Sequence, residues 1–322
     1  MSSGTGSAAA VAVAAVDRSG VLSEVADGVF AYVQPDGSWC VNNAGLVVSD
    51  GRAVLVDTAA TEARARRLRA AVLAGGRPVP YAVVNTHSHG DHTFGNFVFP
   101  EAVVYAHHET RREMAAAGLH LTGLWPEVEW GDIELVLPHS TYRDELTLHV
   151  GGLTARLLHL GVAHSTNDTA VWVPERRVLF TGDVVMSGVT PFLPMGSVAG
   201  SLRAVERMRA LDPAVVVAGH GAVGGTEVLD TTEAYLRWVQ ELARDGAAAG
   251  LTPWEVAREA DLGPFAGLLD PERIVPNLHR AFAEEADLAH GEALDMRAVI
   301  AEMDTLFREM TAYRGAPLAC HA

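Results

Sequence analysis

The chain has 322 residues, 49% of them hydrophobic, with 40 acidic against 24 basic side chains and a net charge of −16. The length exceeds a usual single domain but suits one α/β domain with a helical appendage, and the apolar fraction is ample for a large core. The acidic balance argues against nucleic acid or an anionic membrane as partner, since either needs a basic face. The two cysteines, Cys40 and Cys320, lie near opposite ends and match no zinc or redox spacing, so the cytoplasm is the expected compartment.

Residues 1–20 read as a disordered leader. Their Ala/Val run from Ala8 to Val16 lacks the basic segment of a secretion signal and the length to span a bilayer. Cleavage as a signal peptide is the alternative and would move the protein out of the cytoplasm. Residues 46–49 and 53–57 are expected to pair as strands about Asp50-Gly51, a strong hairpin signal. Residues 61–73 follow as an amphipathic helix with Arg64, Arg66, Arg67 and Arg69 mostly towards solvent.

The densest signal comes next. After an apolar run, Tyr81 to Val84, the segment Asn85-Thr86-His87-Ser88-His89-Gly90-Asp91-His92 places three imidazoles and a carboxylate within six residues. At a strand end, residues i and i+2 point the same way, so His87 and His89 can close on one ion. Gly90 then lets the backbone turn, and Asp91 and His92 point to a second ion. Zinc accepts such ligands at roughly 2.0–2.2 Å, and a catalytic site leaves a position open for water or substrate. Without a metal, crowded imidazoles disfavour one another's protonation, which weighs against a plain cluster of surface histidines.

Residues 119–142 form a long insertion carrying Trp125, Trp130 and Tyr142 with several acids but no Lys or Arg. Residues 146–149 and 153–160 flank Gly151-Gly152 as a second hairpin, and that apolar stretch leads into His164. Residues 169–173 and 178–180 flank a third turn, ending in Thr181-Gly182-Asp183. Residues 186–197 contain no charge, 201–211 are helical, and the apolar run 215–219 ends in His220. Each of these late polar residues is ordinary loop chemistry alone. In this order, after the dense motif, they complete a set for two ions: His87, His89, Asp91, His92, His164, Asp183 and His220.

Beyond residue 226 the pattern is helical, over 227–249, 253–260, 271–289 and 294–313. Early-turn acids at Asp230-Thr231-Thr232-Glu233 and Asp270-Pro271-Glu272 look like helix starts. No metal set occurs there; His279 and His290 read as surface or packing residues, and the region is expected to support a homo-oligomer contact or to cap a groove. Aromatic and apolar loops beside a metal site suit a flat hydrophobic molecule, with Trp125, Trp130, Met186, Phe192 and Met195 as the pocket. The two tryptophans packing their loop onto its own domain is the competing reading. A phosphate or glutathione carboxylate would want Arg or Lys, which neither loop supplies.

The HxHxDH segment at His87 to His92, with His164, Asp183 and His220 after it, resembles the metallo-β-lactamase superfamily over roughly residues 22–225. The resemblance implies an α/β fold, a four-layer αβ/βα sandwich with two sheets face to face, as a catalytic domain over 21–225 with a helical extension over 226–322. It implies two zinc ions, one on His87, His89 and His164, the other on Asp91, His92 and His220, with Asp183 bridging and Asp57 orienting the metal-binding loop from behind. True β-lactamases mostly lack the bridging aspartate, so the resemblance points to hydrolases of thioesters, lactones and phosphoesters and their non-hydrolytic relatives.

The segments Trp39-Cys40-Val41-Asn42-Asn43-Ala44-Gly45, Gly123-Leu124-Trp125-Pro126, Ala163-His164-Ser165-Thr166-Asn167-Asp168 and Gly188-Val189-Thr190-Pro191-Phe192 look like the zinc-dependent cyclases of aromatic polyketide pathways in actinomycetes. That branch implies aldol-type ring closure with dehydration of an aromatic polyketide, and thioester release from an acyl carrier protein, with Asp91 and Asp183 as catalytic carboxylates. A general metallo-hydrolase of a small thioester, lactone or amide is the alternative. An acidic carrier protein would need a basic patch, for which Arg64, Arg66, Arg67, Arg69, Arg111 and Arg112 are the candidates, though a solvated helix face explains them as well.

Overall fold

A computed structural model describes residues 19–286 and 296–322. The expected leader up to residue 18, and His290, lie outside the described residues. A seven-stranded sheet runs in chain order through β1 (Val21–Ala26), β2 (Val29–Val33), β3 (Ala44–Ser49), β4 (Arg52–Val56), β5 (Ala82–Val84), β6 (Val103–His107) and β7 (Ser140–Tyr142). Pairing is antiparallel from β1 to β4 and parallel from β4 to β7. The turn between β3 and β4 has positive φ at both Asp50 and Gly51, as its dipeptide predicts.

The second sheet contains β8 (Glu145–Val150), β9 (Leu153–Gly161), β10 (Asp168–Val173), β11 (Val178–Phe180) and, after β12 (Met186–Ser187), β13 (Val215–Val217), in the order β13-β11-β10-β9-β8. β12 pairs in parallel with β14 (His220–Gly221) as a separate ribbon. Strands covered on both faces, such as β5 and β10, are buried throughout, β5 and the 170–173 part of β10 reading as continuous apolar runs, whereas β9 alternates.

Val47, Val54, Val56 and Val84 of the first sheet meet Leu157, Val171, Phe180 and Val217 of the second in one core. On the outer face of the first sheet, α1 (Glu62–Leu73) buries Ala65, Leu68 and Val72 against Leu55, Val83 and Val104. Thr61 caps α1 by accepting from the Arg64 backbone N–H. Short helices α2 (Gly90–Thr93), α3 (His108–Ala117) and α4 (His120–Leu124) follow β5 and β6. The outer face of the second sheet is covered by α5 (Val198–Arg209) together with α6 (Glu227–Ala248), α7 (Pro253–Glu259), α8 (Ile274–Glu285) and α9 (Met296–Arg314). The layers are therefore α/β/β/α, with a C-terminal helical extension packed on one side.

Several expectations need correction. Arg64 is buried rather than solvent-facing, and donates to Gln34 Oε1 at 2.7 Å and to the His321 carbonyl. It faces inward because it shares the Ala65–Leu68 side of α1. Helix 271–289 begins as a 3-10 turn, Pro271–Arg273, before α8. His279 joins α8 to α9 through Glu309 at 2.7 Å. No helix of the described residues is long and apolar enough to cross a membrane.

Candidate metal centre

Four places in the fold deliver the seven predicted ligands to one edge of the sandwich. The chain leaving β5 supplies His87 and His89 and then, in α2, Asp91 and His92. His164 follows β9, Asp183 lies in a 3-10 turn after β11, and His220 opens β14. All but the half-buried His89 are buried.

Their donor atoms form two groups, His87, His89, His164 and Asp183, and Asp91, His92, Asp183 and His220, each spanning no more than 4.8 Å. Asp183 belongs to both. Its Oδ2 lies 3.9 Å from His87 Nε2, 3.7 Å from His164 Nε2 and 3.3 Å from His220 Nε2, while Oδ1 lies 3.0 Å from His92 Nε2. His164 Nε2 and His89 Nδ1 face each other at 2.9 Å. His87 Nε2, His92 Nε2 and Asp183 Oδ1 are nevertheless buried without a hydrogen-bond partner, the last two being close but misaligned. Buried polar atoms are ordinarily paired, so orphans converging on common points fit a cation, and imidazole with carboxylate is a donor set that zinc accepts.

The ligands are held from behind. Asp57 accepts from the Thr86 N–H and hydroxyl at 2.8 Å each, and meets His92 Nδ1 at 2.9 Å, which fixes that ring's orientation. His220 Nδ1 is 2.9 Å from the Gly37 carbonyl, a partner that no sequence signal marks. Gly219 is required by space: a Cβ there would lie 2.0 Å from Asp183 Oδ1. Gly90 also acts through space, contrary to the expectation that it supplies a turn. It starts α2, and a Cβ on it would meet the Phe94 ring at 2.5 Å.

Electrostatics divide the two groups. Burial, reinforced by neighbouring imidazoles, lowers His87 and His164, the latter to about 3, and burial lowers His89. Burial also works against charge on His92 and His220, but Asp183 and Asp91 outweigh it; both are raised, His220 to about 9. Burial would raise Asp91, yet His92 and His220 bring it down to about 2, and the same pair holds Asp183 well below the carboxylate range.

The donor set opens into a cleft of about 1020 Å³, counting its mouth, lined by Trp39, Phe94, Leu121, Leu124, Trp125, Met186, Phe192, Met195, Met303 and Phe307. Trp39 contacts Phe192 at 4.9 Å and Trp125 at 5.6 Å between centroids, and Trp125 meets Phe307 at 5.4 Å. Of the predicted pocket residues, Trp125, Met186, Phe192 and Met195 line the cleft, whereas Trp130 does not. It packs edge-on to Phe94 and donates to the Trp125 carbonyl at 3.0 Å, supporting the loop behind the wall.

Met303 and Phe307 come from α9, so the helical extension builds part of the wall. Their apolar spacing is visible in sequence, but the surface it faces is not. Arg273 also reaches the cleft from outside the two loops; its guanidinium lies 4.0 Å over the Trp39 ring and pairs with Asp270 at 2.8 Å. The cysteines, distant in sequence, meet here as free thiols. Cys320 donates to the Trp39 carbonyl at 3.6 Å, and a hydrogen bond between the two thiols, together with burial, pushes Cys40 up.

Fold and donor set together define a metallo-hydrolase architecture, and comparison with known proteins agrees. The profile of the metallo-beta-lactamase superfamily matches residues 37–220. The chain belongs to that superfamily. It is 25% identical over 223 residues to a type 2 metallo-beta-lactamase of Bacteroides fragilis, covering 66% of this chain and 83% of that protein. It is 27% identical over 169 residues to the 2,4-dinitroanisole O-demethylase subunit alpha of Nocardioides sp. (strain JS1661), covering 52% of this chain and 44% of the relative. It is 26% identical over 143 residues to the acyl-coenzyme A thioesterase MBLAC2 of Bos taurus, covering 40% and 50%. The chain thus spans about half the length of the last two. Among solved structures, a metallo-beta-lactamase from Pontibacter korlensis superposes with a TM-score of 0.57 at 20% identity, over 68% of this chain and 99% of that one. The DIM-1 metallo-beta-lactamase gives 0.56 at 19%, over 68% and 97%. These two likenesses speak to the fold.

Proposed function

We propose that this protein is a di-zinc cyclase of aromatic polyketide biosynthesis in the cytoplasm, closing a ring by an aldol-type reaction with loss of water and releasing product from a carrier-protein thioester. The observation that carries the reading is the cleft wall. Trp39, Trp125, Phe192 and Phe307 form a continuous aromatic surface leading to the donor set, which suits a flat, hydrophobic substrate.

Two zinc ions, held by His87, His89 and His164 on one side and Asp91, His92 and His220 on the other, would polarise a carbonyl oxygen and bring a water's pKa to about 7. The rings orient the polyketone and exclude water. Asp183, whose carboxylate belongs to both donor groups, takes a proton from the acidic methylene between two ketones. The carbanion forms the new C–C bond at a second carbonyl carbon, whose oxygen takes up a proton. Loss of that hydroxyl as water, with a ring proton, aromatises the product.

Hydrolysis of a small thioester, lactone or amide is the second reading, favoured by the likeness to an acyl-coenzyme A thioesterase. Of the α1 arginines that a carrier protein could use, Arg64 is buried, Arg66 and Arg69 are paired with Glu62 and Glu101, and Arg67 is exposed. On α3, Arg112 is paired with Glu109 and Arg111 donates to the Pro138 carbonyl. The test is incubation of the zinc-loaded protein with a partly cyclised aromatic polyketide thioester, followed by mass spectrometry and ultraviolet absorbance. A new fused ring with loss of water is expected. Acid release without ring closure would replace the cyclase with a thioesterase, and no reaction would overturn the cyclase and leave the second reading to a panel of lactones, amides and smaller thioesters.

A further inference from the structure

Glu113, on α3, is absent from the predicted site yet stands on the cleft wall, 3% exposed. Its Oε2 accepts from Ser88 Oγ at 2.9 Å and from Asn167 Nδ2 at 2.5 Å, and its Oε1 accepts from Thr166 Oγ1. One turn earlier on the same helix face, Thr110 donates to Asn167 Oδ1 at 2.9 Å. Ser88 separates the ligands His87 and His89, and Thr166 and Asn167 follow His164 directly after Ser165. One carboxylate therefore ties together the two loops whose imidazoles face each other at 2.9 Å. Its hydrogen-bonding partners are all neutral, the exposed Arg112 guanidinium is the smallest influence on it, and burial makes its charge costly unless a nearer cation offsets it. A dication held by His87, His89 and His164 would supply the missing positive charge.

We propose that Glu113 is a positioning residue for the first metal: it sets the separation of His89 and His164 and places a negative charge behind the cation they share. The proposal concerns the metal centre and holds whichever substrate the cleft takes.

The test is Glu113→Gln in the full chain, titrated with Co(II) against a chromophoric chelator while the visible absorption bands and thermal unfolding are recorded. Glutamine keeps the size but loses the charge and presents an NH₂ where two oxygens accepted. Co(II) affinity at the His87, His89 and His164 site is expected to fall about 10–100-fold, with altered bands, while the other site changes little. Lower thermal stability with unchanged affinity and spectrum would reduce Glu113 to a structural clamp and overturn the proposal. Should Glu113→Gln fail to fold, Ser88→Ala removes one donor; a smaller loss confined to the same site supports the proposal, and unchanged affinity overturns it.

Discussion

Around His87, His89 and His164, burial and mutual repulsion keep three imidazoles neutral, with His164 near 3. Around Asp91, His92 and His220, carboxylates outweigh burial and draw protons onto two imidazoles, with His220 near 9. The same ligand chemistry is thus prepared in opposite ways. The first group has free lone pairs waiting for a cation, while the second must exchange protons for one. Asp183, shared by both, is the joint through which they act together.

The strongest way to break this comparison is to remove the joint. Asp183→Ala leaves three donors in each group; it should lower metal occupancy in both and lower turnover by about 10³-fold or more, since metal polarisation contributes several kcal/mol. Metal content by atomic emission, with activity, checks it; full occupancy of either group would show that they are independent.

Asp91→Asn cuts one side only. Both cyclisation and hydrolysis should be abolished, with bound metal falling from about two to about one per chain, because all four donors of the first group remain while the second loses its own carboxylate. Loss of both metals would make the two groups one cooperative unit.

The mildest probe is pH. His220 is raised to about 9, so its proton competes with metal below that pH, and the raised His92 adds to the competition, whereas Asp91, near 2, is ionised throughout. Affinity at the second group should therefore climb about tenfold per pH unit for each displaced proton between pH 7 and 9. At the first group, with His164 near 3 and already neutral, affinity should stay flat over that range. Chelator competition at pH 7, 8 and 9 reads both, and parallel slopes would erase the distinction.

Much of this was legible in the chain. The β3–β4, β8–β9 and β10–β11 hairpins announced themselves through turn dipeptides and apolar runs, because hairpin contacts are local. The ligand candidates were visible because metal donors are few in kind and were clustered or placed just past apolar strands. The cleft was read less well. Trp130 and Trp125 belong to the same insertion and look alike in sequence, yet one lines the cleft and the other supports it from behind. Glu113 looks like any charged residue on a short helix, and its role depends on loops at Ser88 and Thr166 being brought to it.

The sequence by itself determined three hairpins, the C-terminal run of helices and the identity of the candidate metal donors, since these follow from periodicity, turn chemistry and ligand type, while the two-sheet class came with the family resemblance. Tertiary structure alone decided that Arg64 turns inward, that Cys40 meets Cys320, that α9 and Arg273 complete the cleft, and that Glu113 joins the loops at Ser88 and Thr166. These contacts join segments far apart in the chain, and no local pattern records which surfaces the stacked layers press together.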